Sequence, residues 1–246
     1  MIEKWLRWFL RPIHRIYFKR KINRIRRRKG DGTTWNEKIP DNRHLASTNQ
    51  ESVARIAFRI LLLLREMTKD QGIDVFLAYG TLLGAVRHKG FIPWDDDIDV
   101  FMTQSEFNVL VQNSNHLPKE LALVPMGLGF FKLMDTSSII SRDGKRGIAV
   151  DIFILRDGRR GSLSFFNVHT LRRLEYQNAA FYPAIPMDFE SQQFSIPNQF
   201  SKILSDLYGD YTQLPEEQDR TSSHMDYSQI KIRPYGENCV NLRNYL

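Results

Sequence analysis

The spacing of apolar and polar residues predicts a folded domain that begins near residue 50. Residues 48–51 (Thr-Asn-Gln-Glu) have the sequence of a helix capping box. They predict a helix over residues 50–71, ended by Gly72. The apolar run 73–79 then predicts a strand, and residues 81–88 predict a short helix.

A second group of elements follows along the chain. Residues 97–102 predict a strand, and the capping-box sequence at 103–106 predicts the start of the next helix. Further strands are predicted at 121–124, 130–134 and 148–155, and further helices at about 163–181 and 199–207. This order of elements predicts an α+β fold, a small mixed sheet flanked by helices.

The first 30 residues carry most of the positive charge. They hold twelve of the 35 Lys and Arg residues and one of the 28 Asp and Glu residues, a net charge of +11. The rest of the chain, with 23 basic and 27 acidic residues, has −4, and the whole chain has +7. At 100° per residue the arm's basic and apolar residues separate: Lys4, Arg7, Arg11 and Arg15 on one side, and Ile2, Trp5, Leu6, Phe9, Ile13, Ile16 and Tyr17 on the other.

This pattern predicts an N-terminal basic amphipathic helix that lies in an anionic membrane surface. Two alternatives stay open: a helix docked against its own domain, and a nucleic-acid arm, which residues 26–29 (Arg-Arg-Arg-Lys) would favour. The aromatic-rich face favours the membrane, because an arm that follows phosphates does not need one. We therefore expect no nucleic-acid partner. The predicted organisation is an arm at 1–30, a linker at 31–49 and one domain at 50–246.

Cysteine content and hydropathy bear on the compartment. The single cysteine, Cys239, allows neither an intramolecular disulfide nor a Cys-based metal site, and it fits a reducing compartment. The longest aliphatic run, residues 60–64, is far shorter than the roughly 20 residues that a membrane-spanning helix needs. No secretory apolar segment precedes the first basic residues. We expect a cytoplasmic protein, peripheral on the inner face of the plasma membrane.

Four carboxylates lie within residues 95–99. Asp97 and Asp99 are two apart on a predicted strand, so their side chains leave the same face. Two such carboxylates repel, and a proton or a divalent cation must relieve the repulsion. A solvated acidic turn would explain Asp95 and Asp96, but Asp97 and Asp99 alternate with large apolar residues. The pattern predicts a metal site for Mg²⁺ (or Mn²⁺).

Two further motifs accompany this acidic strand. Gly80 and Thr81 follow a predicted strand and open a predicted helix, a geometry that directs N–H groups and a hydroxyl at an anion. Asp151 lies in the apolar run 149–153, where a buried charge needs a partner. A shared metal is one possible partner, and a structural salt bridge is the alternative. A glycine-hydroxyl turn followed by Asp-x-Asp on a second strand is the pattern of the nucleotidyltransferase fold.

Several stretches of the chain match the motifs of one family. They are residues 80–84 (Gly-Thr-Leu-Leu-Gly), 87–88 (Arg-His), 90–100 (Gly-Phe-Ile-Pro-Trp-Asp-Asp-Asp-Ile-Asp-Val), 150–153 (Val-Asp-Ile-Phe) and 207–211 (Leu-Tyr-Gly-Asp-Tyr) with Pro215. In these stretches the chain resembles the LicD/fukutin family, over about residues 50–225. Bacterial members of that family transfer phosphocholine from CDP-choline to cell-surface glycans, and eukaryotic relatives act on CDP-ribitol. The N-terminal arm lies outside the resemblance.

The resemblance implies a LicD-type, CDP-alcohol-dependent phosphotransferase that acts on a sugar hydroxyl of a glycan or glycolipid such as lipopolysaccharide or teichoic acid. Asp97 and Asp99 would hold Mg²⁺ on the donor pyrophosphate in a two-metal displacement. Asp151 would act as a third ligand or as the base, and Gly80 and Thr81 would hold phosphate. Two alternatives remain: an enzyme of the same fold that transfers NMP, and a membrane-surface protein without catalysis.

Four other residues are candidates for donor binding. Lys132 is a cation inside the apolar strand 130–134, where its partner would be a phosphate or a core carboxylate. Arg87 and Arg142 are phosphate candidates that could equally be surface charges. Trp94 could stack on cytosine, form one wall of a choline cage by cation–π attraction, or be an ordinary packed tryptophan.

Overall fold

A computed structural model describes residues 38–95, 97–114, 117, 118, 120–127, 129–136, 138, 139, 147–167, 170, 172–220, 231 and 232. The predicted amphipathic arm, residues 31–37 of the predicted linker, Asp96 and Arg142 lie outside these described residues. The domain boundaries therefore stay predictions.

The described chain contains four α-helices: α1 (Asn49–Lys69), α2 (Tyr79–His88), α3 (Gln104–Gln112) and α4 (Phe200–Tyr208). The predictions at 50–71, 81–88 and 199–207 are thus confirmed within two residues at each end. The hydroxyl of Thr48 accepts from the Glu51 N–H at the start of α1, and α3 begins with a complete capping box between Thr103 and Glu106. Within the described residues, none of the helices has the length and apolar character needed to cross a membrane.

The strands are β1 (Phe76–Leu77), β2 (Ile98–Thr103), β3 (Leu121–Gly127), β4 (Phe130–Asp135), β5 (Ser138–Ile139), β6 (Ala149–Asp157), β7 (Ser162–Asn167), β8 (Arg172–Gln177), β9 (Ile185–Phe189), β10 (Gln192–Ile196) and β11 (Lys231–Ile232). Nine of them form one mixed sheet in the order β3-β4-β6-β2-β1-β10-β9, with β7 and β8 continuing from the end of β6. Strands β2 and β6 run parallel, and β4 runs antiparallel to β6. The α+β architecture is confirmed.

The central strands are buried on both faces because each contributes alternate residues to two cores. Val100 of β2 and Ile152 of β6 pack with α1 in the larger core. Their neighbours Phe101 and Phe153 point to the other face, into an aromatic core that also contains Tyr79. The odd-numbered positions of β2 and β6 therefore face the aromatic core, and this parity fixes the side on which Asp99 and Asp151 lie.

Three predictions about elements need correction. The helix predicted at 163–181 is wrong, because residues 162–177 form the β7–β8 hairpin. Leu163 and Phe165 alternate with Ser162 and Ser164, the period of two of a strand, and all four residues are buried. The strand predicted at 73–79 is only two residues long. Strands β9 and β10 were not predicted, and β10 pairs with β1.

Candidate active site

Sheet register brings three charged side chains into one row. Asp99 of β2 lies directly opposite Asp151 of β6, and Asp151 lies opposite Lys132 of β4. The next row on the same face is aromatic, since Phe101, Phe153 and Phe130 occupy the same three strands two residues further along. Phe130 and Phe153 stack with their ring centroids 4.9 Å apart. The polar row therefore lies next to the aromatic row on the same face of the sheet, at the edge of the aromatic core.

Asp97 completes an acidic triad with Asp99 and Asp151. One carboxylate oxygen from each residue lies within 4.8 Å of the others. Asp99 and Asp151 are 8% and 7% exposed, and Asp97 is half-buried just before β2. Three converging carboxylates fit a hard divalent cation, which takes oxygen ligands, so the triad could hold a metal ion.

The electrostatics of the triad agree with this geometry. The pKa of Asp99 is raised well above its usual range, first by burial and then by the negative charges of Asp97, Asp151 and Asp95. The ammonium of Lys132 acts in the opposite direction. Two or more ionised carboxylates this close repel strongly, and a bound cation would remove that repulsion.

Lys132 forms an ion pair with the third member of the triad. Its Nζ lies 2.6 Å from Oδ1 and 2.7 Å from Oδ2 of Asp151. The sequence allowed two partners for Lys132, a phosphate or a core carboxylate. The structure contains the carboxylate partner, and that carboxylate belongs to the acidic triad. The Lys132 ammonium also lies 5.3 Å from the centroid of the Phe130 ring.

The turn before α2 is built into the same site. The Thr81 hydroxyl is buried and accepts a hydrogen bond of 2.8 Å from the Asp99 N–H, which ties α2 to the start of β2. A Cβ atom on Gly80 would lie 2.5 Å from Oδ2 of Asp95, so a larger residue at position 80 would displace that carboxylate. Tyr79 begins α2 with φ of +42°, a strained backbone for a non-glycine residue. The predicted phosphate-binding turn thus has the Asp95 carboxylate packed against it.

Arg87 and Trp94 contact the segment that follows α4. Nη1 of Arg87 donates to the carbonyl oxygens of Tyr211 (3.2 Å) and Gln213 (3.1 Å). The guanidinium of Arg220 lies 5.7 Å from the Trp94 ring centroid. Arg87 thereby fixes this segment over α2, and Trp94 already binds a cation of its own chain. Whether either residue also contacts the donor stays a prediction.

Tyr208 is a site residue that the sequence reasoning did not single out. It ends α4, and the residue as a whole is 44% exposed. The pKa of its phenol is raised by the burial of that group and by the negative charges of Asp99, Asp95 and Asp97, so these charges act on the hydroxyl. The only sequence signal was its place in the 207–211 motif, which does not reveal where α4 packs.

Comparisons with known proteins agree with the motifs. The model of the LicD/FKTN/FKRP nucleotidyltransferase domain matches residues 72–199, which is 128 of the 246 residues. The lipopolysaccharide cholinephosphotransferase LicD of Haemophilus influenzae is 25% identical over 253 aligned positions, which cover 71% of this chain and 96% of that protein.

Two shorter similarities are to uncharacterized proteins of Rickettsia prowazekii and Rickettsia typhi. The first is 41% identical over 61 residues and covers 22% of this chain and 23% of that protein. The second is 40% identical over 50 residues, or 20% of this chain and 16% of that protein. With its matched motifs and family model, the chain belongs to the LicD/FKTN/FKRP nucleotidyltransferase family.

Proposed function

We propose that this protein is a metal-dependent phosphotransferase that moves phosphocholine, or a similar phospho-alcohol, from a CDP-activated donor to a sugar hydroxyl of a cell-surface glycan. The observation that carries the proposal is the convergence of Asp97, Asp99 and Asp151 on one face of the sheet. The similarity to the Haemophilus cholinephosphotransferase supports choline as the alcohol and lipopolysaccharide as the type of acceptor.

Asp97, Asp99 and Asp151 are the residues that would hold Mg²⁺ or Mn²⁺. When bound, such an ion neutralises phosphate charge and polarises the bond to the leaving CMP. The chain's own contribution is positional, because Asp99 is fixed through its backbone by the Thr81 hydroxyl and by the pairing of β2 with β6. Preorganised carboxylates need no rearrangement when the donor arrives.

Asp151 is the best-placed base for the acceptor hydroxyl in this proposal. It belongs to the triad and its oxygens also contact the Lys132 ammonium, and this position between two groups proposed to bind the donor supports the role. Accepting the sugar proton at this carboxylate would raise the nucleophilicity of the attacking oxygen. As a ligand alone, Asp151 would instead fix the metal.

The Trp94 ring supports binding of a quaternary ammonium group. The guanidinium of Arg220 lies 5.7 Å from the ring centroid, and this contact supports a cation-binding role for the ring. In the proposed complex the choline head replaces or joins this guanidinium. The His88 ring lies nearly perpendicular to the indole, with ring centroids 6.2 Å apart.

The proposed location is the inner face of the plasma membrane, through the basic arm at residues 1–30. Its support is the sequence pattern of separate basic and aromatic faces. A lipid-linked glycan acceptor would lie at the same surface, so the arm would raise the local concentration of enzyme near its acceptor.

Transfer of NMP is the second candidate function, because the matched family model is described as a nucleotidyltransferase domain. A first experiment tests both functions for metal-dependent turnover. Purified protein, CDP-choline and a glycan preparation are incubated with Mg²⁺ or with EDTA, and loss of donor is followed by chromatography. We expect donor consumption only with Mg²⁺, and none in Asp97→Asn or Asp99→Asn. Donor consumption at the wild-type rate by either variant in Mg²⁺ would contradict the proposal.

A further inference from the structure

We infer that the Lys132 ammonium and a divalent cation compete for Asp151, so that metal binding displaces Lys132 toward the donor phosphates. This inference rests on the proposed metal-dependent function and assigns Lys132 a role within it. Lys132 would be the occupant of the site before the metal enters and a phosphate contact afterwards.

The geometry of the ion pair is the first observation. Nζ of Lys132 is nearly equidistant from the two Asp151 oxygens, at 2.6 and 2.7 Å. The ammonium therefore contacts both oxygens of the carboxylate at once. A metal ion that chelated Asp151 with both oxygens would occupy the same region. Both cations cannot be there at once.

The second observation is the charge around this position. Lys132 forms an ion pair with Asp151, and its positive charge also acts on Asp99. A divalent cation entering the triad is attracted by three carboxylates and repelled by this ammonium a few ångströms away. Lys132 therefore weakens metal binding for as long as it stays in place.

The third observation is that the Lys132 side chain is partly exposed and can move away from Asp151. The backbone of Lys132 is held between β3 and β6, opposite Val124 and Asp151, so any movement belongs to the side chain. That side chain is 28% exposed, and its flexible four-carbon stem can turn the ammonium away from Asp151 toward solvent. In the proposed complex the ammonium would there contact a phosphate of the donor.

The test measures metal affinity without any substrate. Mn²⁺ is titrated into metal-free protein by calorimetry for wild type, Lys132→Met and Lys132→Arg. We expect Lys132→Met to bind Mn²⁺ at least about tenfold more tightly, because the competing charge is gone. Lys132→Arg should bind no more tightly than wild type, since a guanidinium pairs with both carboxylate oxygens even better than an ammonium.

Lys202→Met is the matched control. Lys202 also pairs with an aspartate, Asp206 at 2.9 Å, and its ammonium lies 5.8 Å from the centroid of an aromatic ring, Tyr176. It lies on α4, outside the triad, so its loss should leave Mn²⁺ affinity unchanged. Melting temperature gives a second readout. Lys132→Met should melt lower than wild type in EDTA, because Asp151 loses the ion pair with this ammonium, and it should gain more from Mn²⁺.

The outcomes separate the two proposals. If wild type does not bind Mn²⁺, the metal-dependent function fails, and the competition fails with it. If wild type binds Mn²⁺ but Lys132→Met binds it equally or more weakly, only the competition is wrong, and Lys132 instead orients Asp151. Should Lys132→Met not fold, Lys132→Gln provides the same comparison, with tighter Mn²⁺ binding than wild type expected.

Discussion

Replacing Asp99 with asparagine removes one negative charge from the triad while keeping the size of the side chain. Burial and the neighbouring carboxylates hold the pKa of Asp99 well above its usual range, so an ionised group there destabilises the metal-free fold. We therefore expect Asp99→Asn to raise the free energy of unfolding at pH 7.5 in EDTA. For a chain of this size, each 1 kcal/mol of such a gain raises the melting temperature by about 2–4 °C.

The gain should depend on pH in a defined direction. A carboxyl group whose pKa is higher in the folded state than in the unfolded chain destabilises the fold at neutral pH. That penalty shrinks as the pH falls through the folded-state pKa and is absent below the unfolded value, near 3.8. The difference in melting temperature between Asp99→Asn and wild type should therefore narrow between pH 7.5 and pH 5.

The assay is thermal unfolding in EDTA and in Mn²⁺. In EDTA the variant should melt above wild type, whereas in Mn²⁺ wild type should gain stability and the variant should not, because it has lost a ligand. Asp188→Asn is the control, since Asp188 is an exposed carboxylate on β9 and should change neither value. A variant that melted below wild type in EDTA, or gained as much from Mn²⁺, would refute the reasoning.

Three other predictions concern catalysis, donor binding and the arm. Asp151→Asn should lower kcat at saturating donor by more than about 10²-fold, because loss of a general base alone removes about 10²–10⁴; a change under tenfold would return Asp151 to a structural role. Trp94→Ala should raise KM for CDP-choline by roughly 2- to 30-fold with little change in kcat, and a CDP-alcohol without a positive charge should show no such effect. Deleting residues 1–29 should abolish sedimentation with anionic vesicles at low salt and leave turnover of a soluble acceptor unchanged. Full-length protein that ignored such vesicles would exclude the membrane role.

The features of the site that the sequence predicts are those determined by residues close together in the chain. A period of two places Asp97 and Asp99 on one side of a strand, and the apolar neighbours of Asp151 indicate a central strand. Their convergence follows once β2 and β6 pair in parallel. The start of α3 was equally local, because a capping box lies within four residues.

The parts that escaped prediction depend on contacts between distant segments. Lys132 meets Asp151 only because β4 is inserted beside β6 in a particular register. The charges of the acidic residues act on Tyr208 because α4 packs against α2, a helix that lies more than 100 residues earlier in the chain. The polar residues of β8 favour a helix prediction for the β7–β8 hairpin. The alternation of apolar and polar residues that would identify β7 as a strand spans only a few residues.

The mass of the reaction product tests the central claim most directly. Purified protein is incubated with Mg²⁺, CDP-choline and a glycan acceptor, and the acceptor is then analysed by mass spectrometry. The proposed function predicts an acceptor that gains one phosphocholine group, with CMP released in equal amount, and no product from Asp97→Asn. An acceptor that gained CMP instead would identify a nucleotidyltransferase, and an unmodified acceptor with intact donor would contradict the assignment of a phosphotransferase.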